Sequence, residues 1–254
     1  MIELFIHWNP STTAIELGPL AVRWYSLCWC IGLLAVYLLM HRLFREQKLT
    51  DEQFEPMFLY CFLGILIGAR LGHCLFYEPS YYLHHITEML LPIHETPDPE
   101  RWSSLLQWLP TGNPDTHWAF TAYEGLASHG GTLGLMLSLV LYARHQKINL
   151  MRVLDNVAIV TPICACAIRL GNLMNSEIIG RVTDVPWAFI FERVDMAPRH
   201  PGQLYEAICY ACFFFVGWWI YRRKPERVGT GYFFGLCLVL IFASRILIEY
   251  TKEN

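Results

Sequence analysis

Apolar residues along this chain are grouped into six long runs, and polar segments separate them. Each run is close to the ~20 residues that an α-helix needs to cross the hydrocarbon core of a bilayer. The pattern predicts an all-α fold, a polytopic transmembrane helical bundle that forms a single integral membrane domain over residues 1–254. The six predicted spans are about Leu20–Met40, Phe54–Tyr77, Gly125–Ala143, Val153–Asn175, Leu204–Tyr221 and Gly231–Tyr250.

Two polar segments between the spans are longer than simple turns. Residues 78–123 are interrupted by prolines and carry Trp102, Trp108 and Trp118, and residues 176–203 also contain prolines. Tryptophan is enriched where a membrane protein meets the polar interface. We interpret the first as an interfacial loop or small cap and the second as a further polar segment, both within the membrane domain.

The composition agrees with a membrane protein and excludes several other classes. Hydrophobic residues make up 54% of the chain and charged residues only 16%, whereas about 25% of residues are charged in a typical soluble domain. A disordered chain, a coiled coil and most water-soluble enzymes are therefore excluded. The net charge of −3 gives no reason to expect a nucleic-acid partner.

The nine cysteines all lie inside apolar runs. Cys209 and Cys212 form the only C-x-x-C pair, and no second pair accompanies it, as a zinc site of that type would require. We therefore expect no metal site, and we interpret the cysteines as small buried hydrophobic residues.

Basic residues in the short connections indicate how the bundle is oriented. Ten of the nineteen Lys and Arg residues lie in the connections that follow the first, third and fifth spans. These connections fall on one side of the membrane, which the positive-inside rule identifies as the cytoplasm. We therefore expect the N-terminus and both long polar segments to face outward.

Three arginines lie inside the predicted spans: Arg70 in the second, Arg169 in the fourth and Arg245 in the sixth. An Arg at a helix centre costs about 2.5–3.5 kcal/mol on insertion scales, so function is the default explanation for such residues. Each lies five to seven residues before the outer end of its span, which is about 8–11 Å of helix. Because they share one depth, we predict a single anion site in the outer leaflet.

Polar residues at helical spacing accompany these arginines. Arg245 and Glu249 are four residues apart, a spacing that allows an ion pair within one helix. The alternative to an anion site is a structural role, in which each Arg neutralises a buried acid and fixes helix packing. Two triplets with i, i+3, i+7 spacing share a helix face: Arg70–His73–Tyr77 and Arg169–Asn172–Ser176.

Two histidines are candidates for proton transfer or phosphate binding. His129 opens the third span within EGLASHGG, where glycines let the backbone approach a ligand closely and the imidazole titrates near neutral pH. A hydrogen-bonded structural role for His129 is the alternative. His200 enters the fifth span from the same side, and the sequence leaves open whether it binds phosphate or caps that helix.

The segment Arg169–Arg181, RLGNLMNSEIIGR, resembles the signature of the bacterial prolipoprotein diacylglyceryl transferase family. The resemblance covers nearly the whole chain, because five further segments are similar to that family in the same order. They are Arg23–Tyr25, Gly68–Gly72, Ser128–Gly131, Arg199–Glu206, and Ser244–Arg245 with Glu249.

The resemblance implies transfer of the diacylglyceryl group of phosphatidylglycerol to the lipobox cysteine thiol in the signal peptide of a prolipoprotein. A thioether forms and glycerol phosphate is released. The attacking thiol belongs to the protein substrate, so the resemblance implies no cofactor. It also implies a bacterial cytoplasmic (inner) membrane location, with phosphatidylglycerol, prolipoprotein and membrane lipids as partners.

The same resemblance, together with the intramembrane charges, assigns expected roles to ten residues. The leaving phosphate needs cationic donors in a site with little water, and which group takes the thiol proton stays open. The expected catalytic residues are His129, Arg245 and Tyr25, and the expected substrate-binding residues are Arg169, Asn172, Glu177, Arg70, Gly180, His200 and Glu249.

Two departures from the family pattern change these expectations. One glycine, Gly125, precedes His129 where the family commonly has two, so the local turn is expected to differ. The sequence stops at Asn254, just past the sixth span, whereas the family normally has a seventh. We expect either a truncated sequence or an unusually short member.

A transporter or channel for an anionic solute is the competing interpretation, because intramembrane arginines suit it equally. Such a protein would be expected to show inverted repeats or broken helices near the midplane of the membrane. The sequence shows neither of these features.

Overall fold

The computed structural model describes residues 5–17, 20–98, 103–106, 108–112, 115–120 and 126–252. The helices, numbered in chain order, are α1 (Trp24–Glu46), α2 (Asp51–Phe76), α3 (Pro79–Tyr82), α4 (Ile86–Leu90), α5 (Ser128–His145), α6 (Leu150–Asn175), α7 (Gly202–Arg223) and α8 (Tyr232–Glu249). The strands are β1 (Ile6–Trp8), β2 (Thr13–Leu17), β3 (Leu20–Arg23), β4 (Ile93–Thr96), β5 (His117–Phe120), β6 (Phe189–Phe191) and β7 (Pro198–Arg199).

A long helix occupies each of the six predicted apolar runs, and the prediction of a polytopic helical membrane protein is confirmed. Five of these helices are long and apolar enough to cross a bilayer: α1, α2, α6, α7 and α8. The helix α5 is not among them. It has only 18 residues, and polar residues at both ends, such as His129 and Arg144, lower its mean hydropathy. The predicted start of that span, Gly125, lies outside the described residues.

The beginning of the first predicted span is a strand instead of a helix. Residues Leu20–Arg23 form β3, which pairs antiparallel with β2, and α1 begins only at Trp24. A short apolar run suits a strand and a helix equally well, so the pattern alone did not separate the two. The helix also continues to Glu46, beyond the predicted end at Met40.

The chain divides into two compact units, of which the first contains Met1–Thr50 and Ile148–Asn254. In this unit α6 packs against α1, α7 and α8. Gly32 of α1 permits a close approach to α6, since a Cβ there would lie 3.1 Å from Cys164 Sγ. Asp155, which is completely buried, accepts hydrogen bonds from backbone amides at the start of α8, those of Gly231 and Phe234 among them.

A small sheet completes the first unit and uses part of the predicted polar segment 176–203. Its strand order is β1–β6–β7, with β1 parallel and β7 antiparallel to β6. Phe189 and Phe191 of β6 pack on Leu173 of α6. The sheet therefore fixes the chain that follows α6 against the end of that helix.

The second unit contains Asp51–Lys147, and close packing of α2 on α5 dominates it. Glycines meet at this interface: a Cβ on Gly134 would lie 2.0 Å from the Gly64 carbonyl oxygen, and one on Gly130 would lie 2.3 Å from that of Gly68. The spacing of four residues on both helices is the small-xxx-small pattern that lets membrane helices touch backbone to backbone. In the segment after α2, the short helices α3 and α4 precede a hairpin of β4 and β5.

Candidate active site

A buried carboxylate on α7 gathers three cations from other parts of the first unit. Glu206 has a side chain only 1% exposed, and its Oε2 lies 2.5 Å from Arg169 Nε on α6. Its Oε1 lies 3.0 Å from Lys252 Nζ and 3.9 Å from a terminal nitrogen of Arg245 on α8. We call these four residues the Glu206 cluster. Two arginines that the sequence placed at one depth are thus joined through a shared acid.

The end of α6 extends this cluster with polar side chains. A terminal nitrogen of Arg169 donates to Asn172 Oδ1 at 3.5 Å, and the Asn172 amide donates to Glu177 Oε2 at 3.1 Å. The helix ends through Ser176, which adopts a left-handed conformation with φ of 56°. This turn directs the chain back, so that the Glu177 amide donates to the Asn172 carbonyl. Three predicted substrate-binding residues therefore form one chain of contacts.

Gly180 is the place where the signature segment meets two other parts of the unit. Its amide donates to the His200 carbonyl at 2.8 Å, and its backbone forms an isolated antiparallel β-bridge with that of Lys252. A Cβ at Gly180 would lie 2.5 Å from the Thr251 carbonyl oxygen and 2.7 Å from that of His200. Only glycine fits here without a shift of backbone, and this contact holds Lys252 beside the signature.

His200 lies before α7 but does not cap it, since the capping position is Pro201 and no side chain bonds there. Its Nδ1 is 3.0 Å from the Tyr205 hydroxyl, which accepts from the Trp187 indole at 2.9 Å. Partial burial lowers the pKa of His200 below its ordinary value, and the charge of Arg181 lowers it further. Of the two roles considered, helix capping is thus wrong, and phosphate binding stays a prediction.

Glu249 contacts the Glu206 cluster through Lys252, and Tyr25 packs on α6 at Gly171, two residues after Arg169. The Tyr25 ring rests against Gly171 of α6, where a Cβ would lie 3.0 Å from the ring. Glu249 pairs with Lys252 at 3.5 Å, whereas Arg245 turns to Glu206. The ion pair within α8 that the spacing allowed is therefore replaced by two others. Arg245 pairs with Glu206 on α7, and Glu249 pairs with Lys252, three residues further along the chain.

Two predicted site residues, Arg70 and His129, belong to the second unit. Arg70 is buried on α2, donates to the Glu88 carbonyl at 2.6 Å and has its guanidinium 4.8 Å from the centre of the Tyr82 ring. These contacts tie α2 to α3 and α4. His129 is exposed in the first turn of α5, next to Gly130, which packs on Gly68.

Glu206, Lys252 and Gln203 are not among the site residues predicted from the sequence. Glu206 appeared only inside a matched segment, although an acid within an apolar run is itself a signal of function. Gln203, one turn earlier on the same helix face, is also completely buried. Lys252 follows the last span and carries no signal of its own. Among the described residues, no group of three or more His, Cys, Asp or Glu side chains is placed so that it could hold a metal ion.

Comparison with known proteins identifies the family to which these features belong. The family model of prolipoprotein diacylglyceryl transferase matches residues 12–254. A phosphatidylglycerol–prolipoprotein diacylglyceryl transferase of Bacteroides fragilis is 53% identical over 99% of this chain and 84% of the relative. Proteins of the same name from Tolumonas auensis and Nitrosomonas europaea are 40% and 34% identical, over 97% and 98% of this chain and 84% and 80% of theirs. This multi-pass helical membrane protein is a transferase and belongs to the prolipoprotein diacylglyceryl transferase family.

Proposed function

We propose that this protein transfers the diacylglyceryl group of phosphatidylglycerol to the lipobox cysteine of a prolipoprotein signal peptide. The observation that carries the proposal is the Glu206 cluster, in which three cations surround one buried carboxylate. The surplus of positive charge suits a phosphate that gains negative charge as it leaves. We propose that the reaction takes place at the outer face of the bacterial cytoplasmic (inner) membrane, with the N-terminus outside.

The reaction exchanges one bond for another and needs no oxidant. The sulfur of the substrate cysteine bonds to the glyceryl carbon, the bond from that carbon to the phosphate oxygen breaks, and the oxygen keeps the electron pair. Arg169 and Arg245 are proposed to donate charge-assisted hydrogen bonds to the phosphate. Asn172 and Glu177 are proposed to hold the glycerol hydroxyls of the head group, with Tyr25 beside them.

The thiol proton must leave for the sulfur to attack, because the thiolate is the nucleophile and a free thiol has a pKa of about 8.5. We propose that His129 and Arg245 take part in catalysis directly, as the family resemblance implies, and we assign the proton to no particular group. Arg70, which holds backbone carbonyls of the segment after α2, is proposed to contribute by shaping the lipid site. Gly180 and His200 are proposed to contribute to substrate binding, His200 by contacting the phosphate and Gly180 by positioning the signature segment.

The test is thioether formation on a lipobox peptide by the full chain in phosphatidylglycerol vesicles, followed by mass spectrometry. Arg169→Ala is expected to lower the rate by about 100-fold or more, as the loss of a preorganised donor to a developing charge does. Arg223→Ala is the control, because that exposed arginine lies in the last turn of α7 and is expected to leave the rate unchanged. Near-normal turnover in Arg169→Ala would disprove the assignment. Flux of an anionic solute without release of glycerol phosphate would favour a transporter.

A further inference from the structure

A cavity of about 390 Å³ lies beside the end of α8 in the first unit. Ile246 and Tyr250 form its apolar wall, and Arg181, Glu249 and Lys252 form its charged wall. Two cations and one carboxylate therefore line the cavity. The site residues predicted from the sequence include only one of these five residues, Glu249.

Lys252 is held in place by contacts on both sides. Its Nζ is 3.0 Å from Glu206 and 3.5 Å from Glu249, and its side chain is only 14% exposed. The β-bridge between Lys252 and Gly180 fixes the Lys252 backbone. Because the Lys252 ammonium group belongs to the Glu206 cluster and also lines the cavity, the two sites share a charge.

Arg181 supplies the second cation of the cavity. Its backbone amide donates a hydrogen bond to the Thr251 carbonyl, and its backbone carbonyl accepts one from the His200 amide. Within the described part of the chain, its guanidinium has no hydrogen-bond or ion-pair partner. A guanidinium offers five donors in a planar fork that matches phosphate oxygens, so Arg181 is available for an anionic ligand.

We propose that this cavity receives the glycerol phosphate that leaves the reaction, an inference that rests on the proposed function. Arg181 and Lys252 bind the phosphate, and Glu249 accepts hydrogen bonds from the glycerol hydroxyls. No bond forms or breaks in this step, because the leaving group already holds its oxygen and electron pair. Lys252 connects the two sites, because it shares the Glu206 carboxylate with Arg169 and Arg245, the cations proposed to contact the phosphate during transfer.

The test is inhibition of thioether formation by added glycerol phosphate, with wild type compared with Arg181→Gln. The half-inhibiting concentration is expected to rise by about tenfold in the variant, because one charge-assisted contact with the phosphate is lost. The Arg181 side chain is exposed, so its substitution is not expected to unfold the protein. Arg223→Gln removes the same charge at the far end of α7 and is expected to leave inhibition unchanged.

The outcomes distinguish binding of the released glycerol phosphate from binding of the phosphatidylglycerol head group. Inhibition that differs by less than about twofold between wild type and Arg181→Gln would overturn the proposal. A raised KM for phosphatidylglycerol with unchanged inhibition would also overturn it, since the cavity would then bind the donor lipid. If wild type formed no thioether, the proposed function would fail by itself. Calorimetric binding of glycerol phosphate to wild type and Arg181→Gln would still test the cavity.

Discussion

Lys252 Nζ lies 3.0 Å from Glu206 Oε1, which joins the turn after α8 to a carboxylate buried in α7. A carboxylate with 1% exposure is stable in its charged form only when cations and hydrogen bonds replace the water that it lost. Lys252 is therefore part of the electrostatic environment of the site, and the residues that fix its backbone, Gly180 and Thr251, support that environment.

Removing the charge of Glu206 is expected to destabilise the protein and to abolish turnover. Glu206→Gln leaves Arg169 and Lys252 without their shared acid, and breaking a buried ion pair costs about 3–5 kcal/mol. Thermal unfolding in detergent measures the loss. Glu249→Gln makes the same chemical change at a side chain that is 60% exposed, and its melting temperature is expected to change little. Equal melting temperatures for the two variants would contradict the central role of Glu206.

The charge of Lys252 is expected to matter more than its shape. Lys252→Met keeps the length of the side chain but removes the ammonium group, and the rate of thioether formation is expected to fall by about tenfold or more. Lys252→Arg keeps the charge and is expected to recover most of the rate. If both variants lost activity equally, packing of the side chain would be the reason, and the electrostatic interpretation would be wrong.

Close backbone contact between α2 and α5 is expected to tolerate no added methyl group. In Gly134→Ala the new Cβ would lie 2.0 Å from the Gly64 carbonyl, so the helices must separate, at a cost of about 1–3 kcal/mol or more. Gly235→Ala on α8 is the control, because nothing lies within 4 Å of a Cβ there. Its melting temperature is expected to stay equal or to rise slightly, since alanine favours a helix over glycine.

His200 is expected to make stability fall as the medium becomes acidic. Partial burial, with repulsion from Arg181, keeps the pKa of His200 below its ordinary value of 6.5. The folded state therefore favours the neutral ring, and this contribution is fully present above pH 6.5 and is lost as the pH falls through the lower pKa of the folded state. Melting temperatures measured between pH 8 and pH 5, a range that brackets the ordinary pKa of histidine, test this loss of stability. His200→Gln is expected to flatten the acid side of the curve.

Much of the architecture was readable from the sequence because helix formation in a membrane depends on local composition. The apolar runs located all six long helices, and the cost of intramembrane charge singled out Arg169 and Arg245. The glycine spacing on α2 and α5 was also present in the sequence, as Gly64, Gly68 and Gly72 facing Gly130 and Gly134. Only the tertiary structure brings these two rows of glycines against each other.

The predicted start of the first span was wrong, because pairing between β2 and β3 depends on residues that precede the apolar run. Leu20–Arg23 are apolar enough for a helix, yet their backbone groups bond to the neighbouring strand. Local pattern alone does not choose between these outcomes.

The sequence by itself determined that this chain is a helical membrane protein, that cations lie within its spans, and which family it resembles. Only the tertiary structure decided which acid those cations share. Arg245 had a neighbouring carboxylate at helical spacing, but it contacts Glu206 on another helix, and Lys252 does the same from beyond α8. The physical reason is that ion pairs form where packed helices bring charges together out of water, and the rotation and depth of each helix are properties of the whole bundle.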